Sequence, residues 1–190
     1  MPKTPAKLTA DDRLEIIELY AKYAWAIDLC DPEGVREVFA EDGHFDHLWQ
    51  GRVQGHEAIL KNLNELWYDR QHWWYGRQHL FNHFIMAPEA TEAGETGARV
   101  KCFFQIMQFN VDYGTNFVFG IGTRSDLCVK RDGRWQFLHL YVNAWTSRDS
   151  VPWQGEVTLK ARPVMPPPSA APNPSGAPPE LTRELAGAPR

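Results

Sequence analysis

Cysteine is scarce in this chain: Cys30, Cys102 and Cys128 are the only three in 190 residues. They are odd in number, far apart and never arranged as C-x-x-C. That excludes a disulfide framework and a cysteine zinc site, and leaves three thiols expected to be buried as small core residues. Long apolar runs are missing too. No stretch approaches the roughly 20 residues that span a bilayer, and the opening MPKTPAKLTADDR lacks the apolar centre of a secretory leader, so the expected location is the cytoplasm with no membrane partner. A basic excess is also lacking. The formal net charge is -4 with both signs mixed along the chain, and the one basic cluster, Lys130-Arg131, sits beside Asp132-Gly133 in a turn, which argues against a nucleic-acid partner. Without a glycine-rich phosphate loop, a G-x-S-x-G elbow or an internal repeat, nucleotide chemistry and serine hydrolysis have no motif to rest on.

What the chain has instead is aromatic bulk: 8 tryptophans, 6 tyrosines and 10 phenylalanines. The tryptophans alone exceed what packing of such a domain requires. Rings lining a cleft suit a flat, apolar or aromatic ligand held by stacking, and Trp25 and Trp74 are candidate binding rings. Thr9 is an N-cap candidate ahead of acidic first-turn residues. Leu14, Ile17, Tyr20, Ala21, Ala24 and Ile27 then recur at three- and four-residue steps, which predicts an amphipathic helix. Asp31-Pro32 opens a second, shorter helix carrying Val35, Val38 and Phe39 inward and ending at Asp42-Gly43. HFDHLW reads as a strand, and GHEAILKNLNELWYDR as a third helix with Ile59, Leu63 and Leu66 inside. From there the pattern is β, with strands near 77–87, 98–111, 116–130 and 134–146. Three helices followed by a mostly antiparallel meander predict an α+β domain in which a curved sheet wraps the helices. After residue 160 the composition changes, and RPVMPPPSAAPNPSGAPPELTRELAGAPR holds nine of the 14 prolines. The expected division is a domain over 1–160 and a proline-rich tail over 161–190 that cannot build a core of its own.

Two histidines stand out in WWYGRQHLFNHFIM. Alternation puts His79, Phe81, His83 and Ile85 on one face and Gln78, Leu80, Asn82 and Phe84 on the other. Imidazole titrates near neutrality and moves protons without a cofactor, which makes His79 a candidate general base. Asp28 falls at the C-terminal end of the first helix, where the dipole disfavours a carboxylate, so its position calls for a compensating partner. Tyr23 lies five residues ahead of it. A metal site is the competing account, since His44, Asp46, His47, His79 and His83 are of the right ligand types. Their spacings match no zinc pattern, and H-x3-H on a strand holds its imidazoles about 13 Å apart, so neither a metal nor a cofactor is expected.

As an ensemble, IIELYAKYAWAIDLCDPEGVREVFAEDGHFD, GHEAI, RQHLFNHFIM and KRDGRWQFLHLYVN resemble the SnoaL-like branch of the nuclear transport factor 2-like superfamily, over residues 9 to about 147. The resemblance implies a cone-shaped α+β barrel with a deep pocket between the helices and a strongly bent sheet. Relatives include polyketide cyclases, scytalone dehydratase, bile-acid dehydratase, a dehydrochlorinase and diarylpropane deformylating lyases, which typically work without a cofactor through an Asp and His pair. By position that pair falls on Asp28 and His79, and the tyrosine of bile-acid dehydratase on Tyr23. The chain departs from the pattern twice. His83 stands where several relatives have asparagine, and the arginine that some carry on the last strand has no match in QFLHLYVNAW, leaving Arg77 or Arg124 to supply a charge.

The activity so implied is that of a cofactor-independent lyase or dehydratase acting on a hydrophobic, aromatic hydroxylated small molecule. It would proceed by loss of water or by formaldehyde-releasing cleavage of a diarylpropane-type lignin fragment, with isomerisation and cyclisation as related outcomes. His79, Asp28 and Tyr23 are the candidate catalytic residues. His83, Arg77, Trp25, Trp74, Phe81, His47 and Tyr141 are the candidate substrate contacts. A homo-oligomer, dimer to tetramer, is implied as well. Two rivals share the fold: a non-catalytic module that binds a small molecule or a protein, and a β-subunit-like partner of a ring-hydroxylating dioxygenase.

Overall fold

The computed structural model describes residues 7–47, 50–68, 75–110, 113–147 and 150–152. Helix α1, Ala10–Asp28, begins with a capping box in which Thr9 Oγ1 accepts from the Asp12 N–H while the Asp12 carboxylate accepts from the Thr9 N–H, so unpaired amide donors at the helix start are satisfied reciprocally. Its buried stripe is Ile16, Leu19, Tyr20, Tyr23, Ala26 and Ile27. That stripe is rotated from the expected one, and Leu14 and Ile17 are exposed. The tyrosines decide the inward face: their rings bury more area than either aliphatic residue, and the Tyr20 hydroxyl finds a buried acceptor, donating to Asp126 Oδ2 at 2.5 Å.

Cys30, in the left-handed region at φ 57°, reverses the chain into α2, Pro32–Val38. This helix stops short of the expected Asp42-Gly43 because Phe39 and Ala40 are already buried at the start of strand β1, Phe39–His47. Within β1, Gly43 lies so close to its neighbours that a Cβ there would come within 2.9 Å of the Phe137 carbonyl oxygen. β2, Gly51–Gln54, folds back on β1. Its four residues, GRVQ, hold one apolar side chain and so offer no alternation to read in the sequence. α3, His56–Tyr68, buries Ile59, Leu63 and Leu66 as expected.

Strands β3 (Arg77–Pro88), β4 (Gly97–Asn110), β5 (Thr115–Arg131) and β6 (Arg134–Ala144) complete a six-stranded sheet of order β2-β1-β6-β5-β4-β3. Neighbours run antiparallel except β1 and β6, which are parallel. The sheet is curved and open, with β2 and β3 at its edges. Register shifts in four of the strand pairs account for the curve, because a bulge bends its strand and increases the local twist. The helices fill the concavity, where Tyr20 and Tyr23 of α1 meet Phe137 of β6 edge to face. Cys102 and Cys128 are buried, and Cys30 is half-buried.

One register shift, between Asn82 and Ile85, overturns the expected faces of β3. His83 has φ 56°, and this extra residue inverts the alternation: Phe84 and Met86 pack on the core while His83 and Ile85 turn outward. Among the described residues no helix is long and apolar enough to cross a membrane. The proline-rich segment 161–190, Trp49, Trp73, Trp74 and Trp153 lie outside the described residues.

Candidate functional site

Asp28 is the last residue of α1 and His79 the third of β3. Asp28 Oδ1 accepts from His79 Nδ1 at 2.5 Å, and Oδ2 accepts from the His79 backbone N–H at 2.7 Å. The compensation that a carboxylate at a helix C-terminus requires is thus provided from the other side of the fold. One carboxylate holding two nitrogens of a single residue fixes both the ring and the strand that carries it. With the proton on Nδ1 facing the carboxylate, the lone pair is on Nε2, so the tautomer follows from the bond.

His79 lines a cavity whose apolar wall includes Phe45, Phe81, Phe104, Leu63 and Leu66. Four polar side chains border the same space: Tyr23, His47, His79 and Arg124. Phe81 lies almost parallel to the His79 ring, with centroids 6.5 Å apart and planes at 18°. The cavity is narrow, about 40 Å³, room for a water or two. Burial, opposed in part by the Arg124 guanidinium, pushes the Tyr23 phenol up to about 12, so it stays a protonated donor.

Arg124, on β5, has its guanidinium carbon 4.9 Å from the ring centroids of both Tyr23 and Phe81, and its Nη2 is 2.8 Å from Asp126 Oδ2. Burial alone would lower its pKa, but the Asp126 carboxylate and the neighbouring Tyr23 and Tyr20 outweigh that and hold it above the ordinary guanidinium value. Its charge is therefore permanent. Cavity and dyad together offer a base of fixed tautomer, two donors that remain protonated, and a largely apolar wall, the set needed to move a proton and stabilise an oxyanion.

Of the residues singled out in the sequence, Tyr23, His47, His79 and Phe81 come together at the cavity, with Asp28 bonded to His79 behind it. Arg77 is buried on β3 two residues before His79. It donates Nε–H to Gln108 Oε1 at 3.0 Å and stacks over Phe119 at 4.0 Å, outside the cavity lining. Desolvation lowers it to about 10, against the pull of Asp28. His83 is carried away from the cavity by the bulge. Its Nδ1 pairs with Asn82 Oδ1 at 2.5 Å and its ring meets Phe103 edge on. Tyr141 is also turned out: a shift opposite Leu127 and Cys128 sends Leu140 into the core and Val142 to the cavity, and Tyr141 contributes only its N–H, to Asp126 Oδ1 at 2.9 Å. Trp25 is 69% exposed on α1, and Trp74 lies outside the described residues.

The described tryptophans do not line the cavity. Trp67 and Trp135 instead donate Nε1–H to the Ile27 carbonyl and to Asp12 Oδ1. Among the described residues the rings at the cavity are those of phenylalanine, tyrosine and histidine. Asp126 escaped notice in the sequence and Arg124 entered only as a spare charge. The signal was present, since opposite charges two residues apart on a strand share a face, here with Cys128. Among the described residues no group of three or more His, Cys, Asp or Glu is placed to hold a metal ion.

Solved structures with this architecture include a protein of unknown function with a cystatin-like fold from Nostoc punctiforme, at TM-score 0.63 and 22% identity over 75% of this chain and 97% of that one. A candidate scytalone dehydratase from Novosphingobium aromaticivorans aligns at TM-score 0.57 and 20% identity, over 70% and 84% of the two chains. LinA aligns at TM-score 0.55 and 15% identity, over 69% and 84%. At such identities the likeness is one of fold. No curated protein gives a significant sequence match. The profile of the SnoaL-like domain matches residues 8–141, from the start of α1 into β6 and so across every cavity-lining residue but Val142, and the chain belongs to the SnoaL-like family.

Proposed function

We propose that this protein is a cofactor-independent acid–base enzyme, a lyase or dehydratase of hydrophobic hydroxylated small molecules. The observation that carries the reading is the two-point hold of Asp28 on His79 at the edge of an apolar cavity. His79 Nε2 takes a proton from carbon or from a hydroxyl, while Nδ1–H stays on Asp28, whose carboxylate stabilises the imidazolium that forms. The Tyr23 hydroxyl and the Arg124 guanidinium donate to the oxygen on which negative charge develops. The imidazolium then returns its proton to a departing hydroxide, and water leaves. Where the proton comes from a hydroxymethyl group, its oxygen becomes the carbonyl of formaldehyde as the carbon–carbon bond breaks. The released pair forms an alkene and expels hydroxide, which leaves as water. Positioned acid–base catalysis of this kind is worth about 10²- to 10⁴-fold.

Membership of the SnoaL-like family and the fold shared with a candidate scytalone dehydratase support dehydration as the reaction class. The phenylalanine-lined cavity favours aryl substrates, of which diarylpropane lignin fragments are one group. The test is a mass-spectrometric screen of wild-type and His79→Ala protein, metal chelated and no cofactor added, against hydroxylated diaryl, steroid and polyketide compounds. Turnover by the wild type alone is expected, with the mass lost, water alone or formaldehyde together with water, naming the branch. Ligand retention by both proteins with no turnover would sink the proposal in favour of a binding module.

A further inference from the structure

Arg124 and Asp126 stand two residues apart on the inner face of β5, with side chains 2% and 0% exposed. Both oxygens of Asp126 are engaged. Its Oδ2 accepts from the Tyr20 hydroxyl at 2.5 Å and faces Arg124 Nη2 at 2.8 Å, and its Oδ1 accepts from the Tyr141 N–H at 2.9 Å. Arg124 is not saturated. Its Nε and Nη2 have no aligned hydrogen-bond acceptor, the approach to Asp126 being an ion pair without the direction of a hydrogen bond. Around it stand the rings of Tyr20, Tyr23, Phe81 and Phe137, 4.9 to 5.5 Å from the guanidinium carbon. It also borders the cavity that His79 lines. A buried donor that lacks an acceptor is a place where a ligand oxygen is favoured.

Resting on the acid–base reading of this cavity, we infer that the Arg124–Asp126 pair selects substrates presenting an uncharged acceptor oxygen, a carbonyl, ether or neutral hydroxyl, and rejects those that carry a carboxylate. A neutral acceptor satisfies the open donors. A permanent anion gains little more, because Asp126 already neutralises the guanidinium and Asp28 adds negative charge beside His79. The anion would be stripped of water to face one permanent cation and two carboxylates. Charge that develops during the reaction is a different case. It arises as His79 becomes an imidazolium, so the cavity gains a matching cation at the moment the oxyanion forms. The pair thereby disfavours a charged ground state while still stabilising the transition state.

Three ligands of one shape separate these effects: 2-acetonaphthone, 2-naphthoate and 2-ethylnaphthalene, titrated calorimetrically into the full-length protein at neutral pH. The ketone is expected to bind at least about tenfold more tightly than the carboxylate and more tightly than the hydrocarbon. In Asp126→Asn, confirmed as folded by circular dichroism, the uncompensated guanidinium should reduce the ketone-to-carboxylate preference by about tenfold. Equal binding of ketone and carboxylate by the wild type overturns the inference, as does failure to bind any of the three, or an unchanged preference in folded Asp126→Asn. The wild-type comparison decides by itself if the variant does not fold. Only binding is read, so a lack of turnover, which would sink the acid–base reading, is seen separately in the activity screen.

Discussion

Two carboxylates with basic partners serve the cavity, and the two pairs are built differently. Asp28 and His79 come from a helix end and an edge strand, and each side chain keeps 11% of its exposure. Arg124 and Asp126 come from one strand in the middle of the sheet, at 2% and 0%. Asp28 gives both oxygens to one residue, whereas Asp126 gathers donors from α1, β5 and β6. A buried pair can pass a proton only if the carboxylate's partner can both take one up and release it, and sits where a substrate can reach it. Imidazole at the cavity edge meets both conditions. Guanidinium borders the cavity but does not release its proton, so its pair presents a fixed charge to the cavity and ties three elements together.

The largest effects break that contrast from its two sides. His79→Ala is expected to lower kcat/KM by about 10²- to 10⁴-fold, with a far-ultraviolet spectrum like that of the wild type, because the imidazole sits at the edge of the core. Arg124→Met should do the reverse of what a purely functional residue does. It leaves the Asp126 carboxylate uncompensated in the core, and denaturant unfolding should show a loss of about 3–5 kcal/mol. If the arginine variant kept full stability, or the histidine variant unfolded, the division between a pair that moves a proton and a pair that fixes a charge in the core would fail. Tyr23→Phe is the intermediate case, since it removes one donor to the developing oxyanion and leaves its ring in the core. We expect kcat to fall about tenfold. The factor should be the same at neutral and mildly alkaline pH, because a phenol pushed up to about 12 stays protonated across that range. A loss that shrinks as the pH rises would remove Tyr23 from the donor role.

The long elements were legible because period and punctuation agree in them: capped α1, the stripe of α3, and four strands bounded by glycine-bearing turns. Asp28 and His79 were legible for a related reason, each being out of place by local rules, a carboxylate at the wrong helix end and an imidazole in an apolar strand. What could not be read were the places where the backbone breaks its own period. The bulge at His83 and the shift in β6 before Tyr141 each invert the faces that follow, and both residues leave the cavity. Such a shift is decided by long-range register, which alternation within one strand does not contain. The stripe of α1 failed similarly: Tyr20 and Ile27 belong to both the expected and the observed stripe, and the packing of the Tyr23 ring on Phe39 and Phe137, which no local pattern contains, goes with Leu14 and Ile17 facing outward.

A third paired carboxylate, half-buried and held by a partly exposed lysine, sets the lower end of the scale. Asp12 caps α1 through Thr9 and accepts from Lys130 at 2.8 Å and from the Trp135 indole at 3.1 Å. The Lys130 ammonium, then Thr9, hold its carboxyl well below the usual carboxylate range. A carboxylate whose folded pKa is depressed contributes stability that is full above its unfolded value, near pH 4, and is lost as the pH falls through the folded value. Asp12→Ala should therefore cost about 1 kcal/mol at neutral pH, the scale of a lost cap and a screened ion pair. The gap in melting temperature between wild type and variant should hold from neutrality down to about pH 5 and close below about pH 4. A gap that persisted unchanged into acid would mean that Asp12 acts by packing rather than by charge, and that the gradient from buried pair to cavity edge to partly exposed pair does not extend to it.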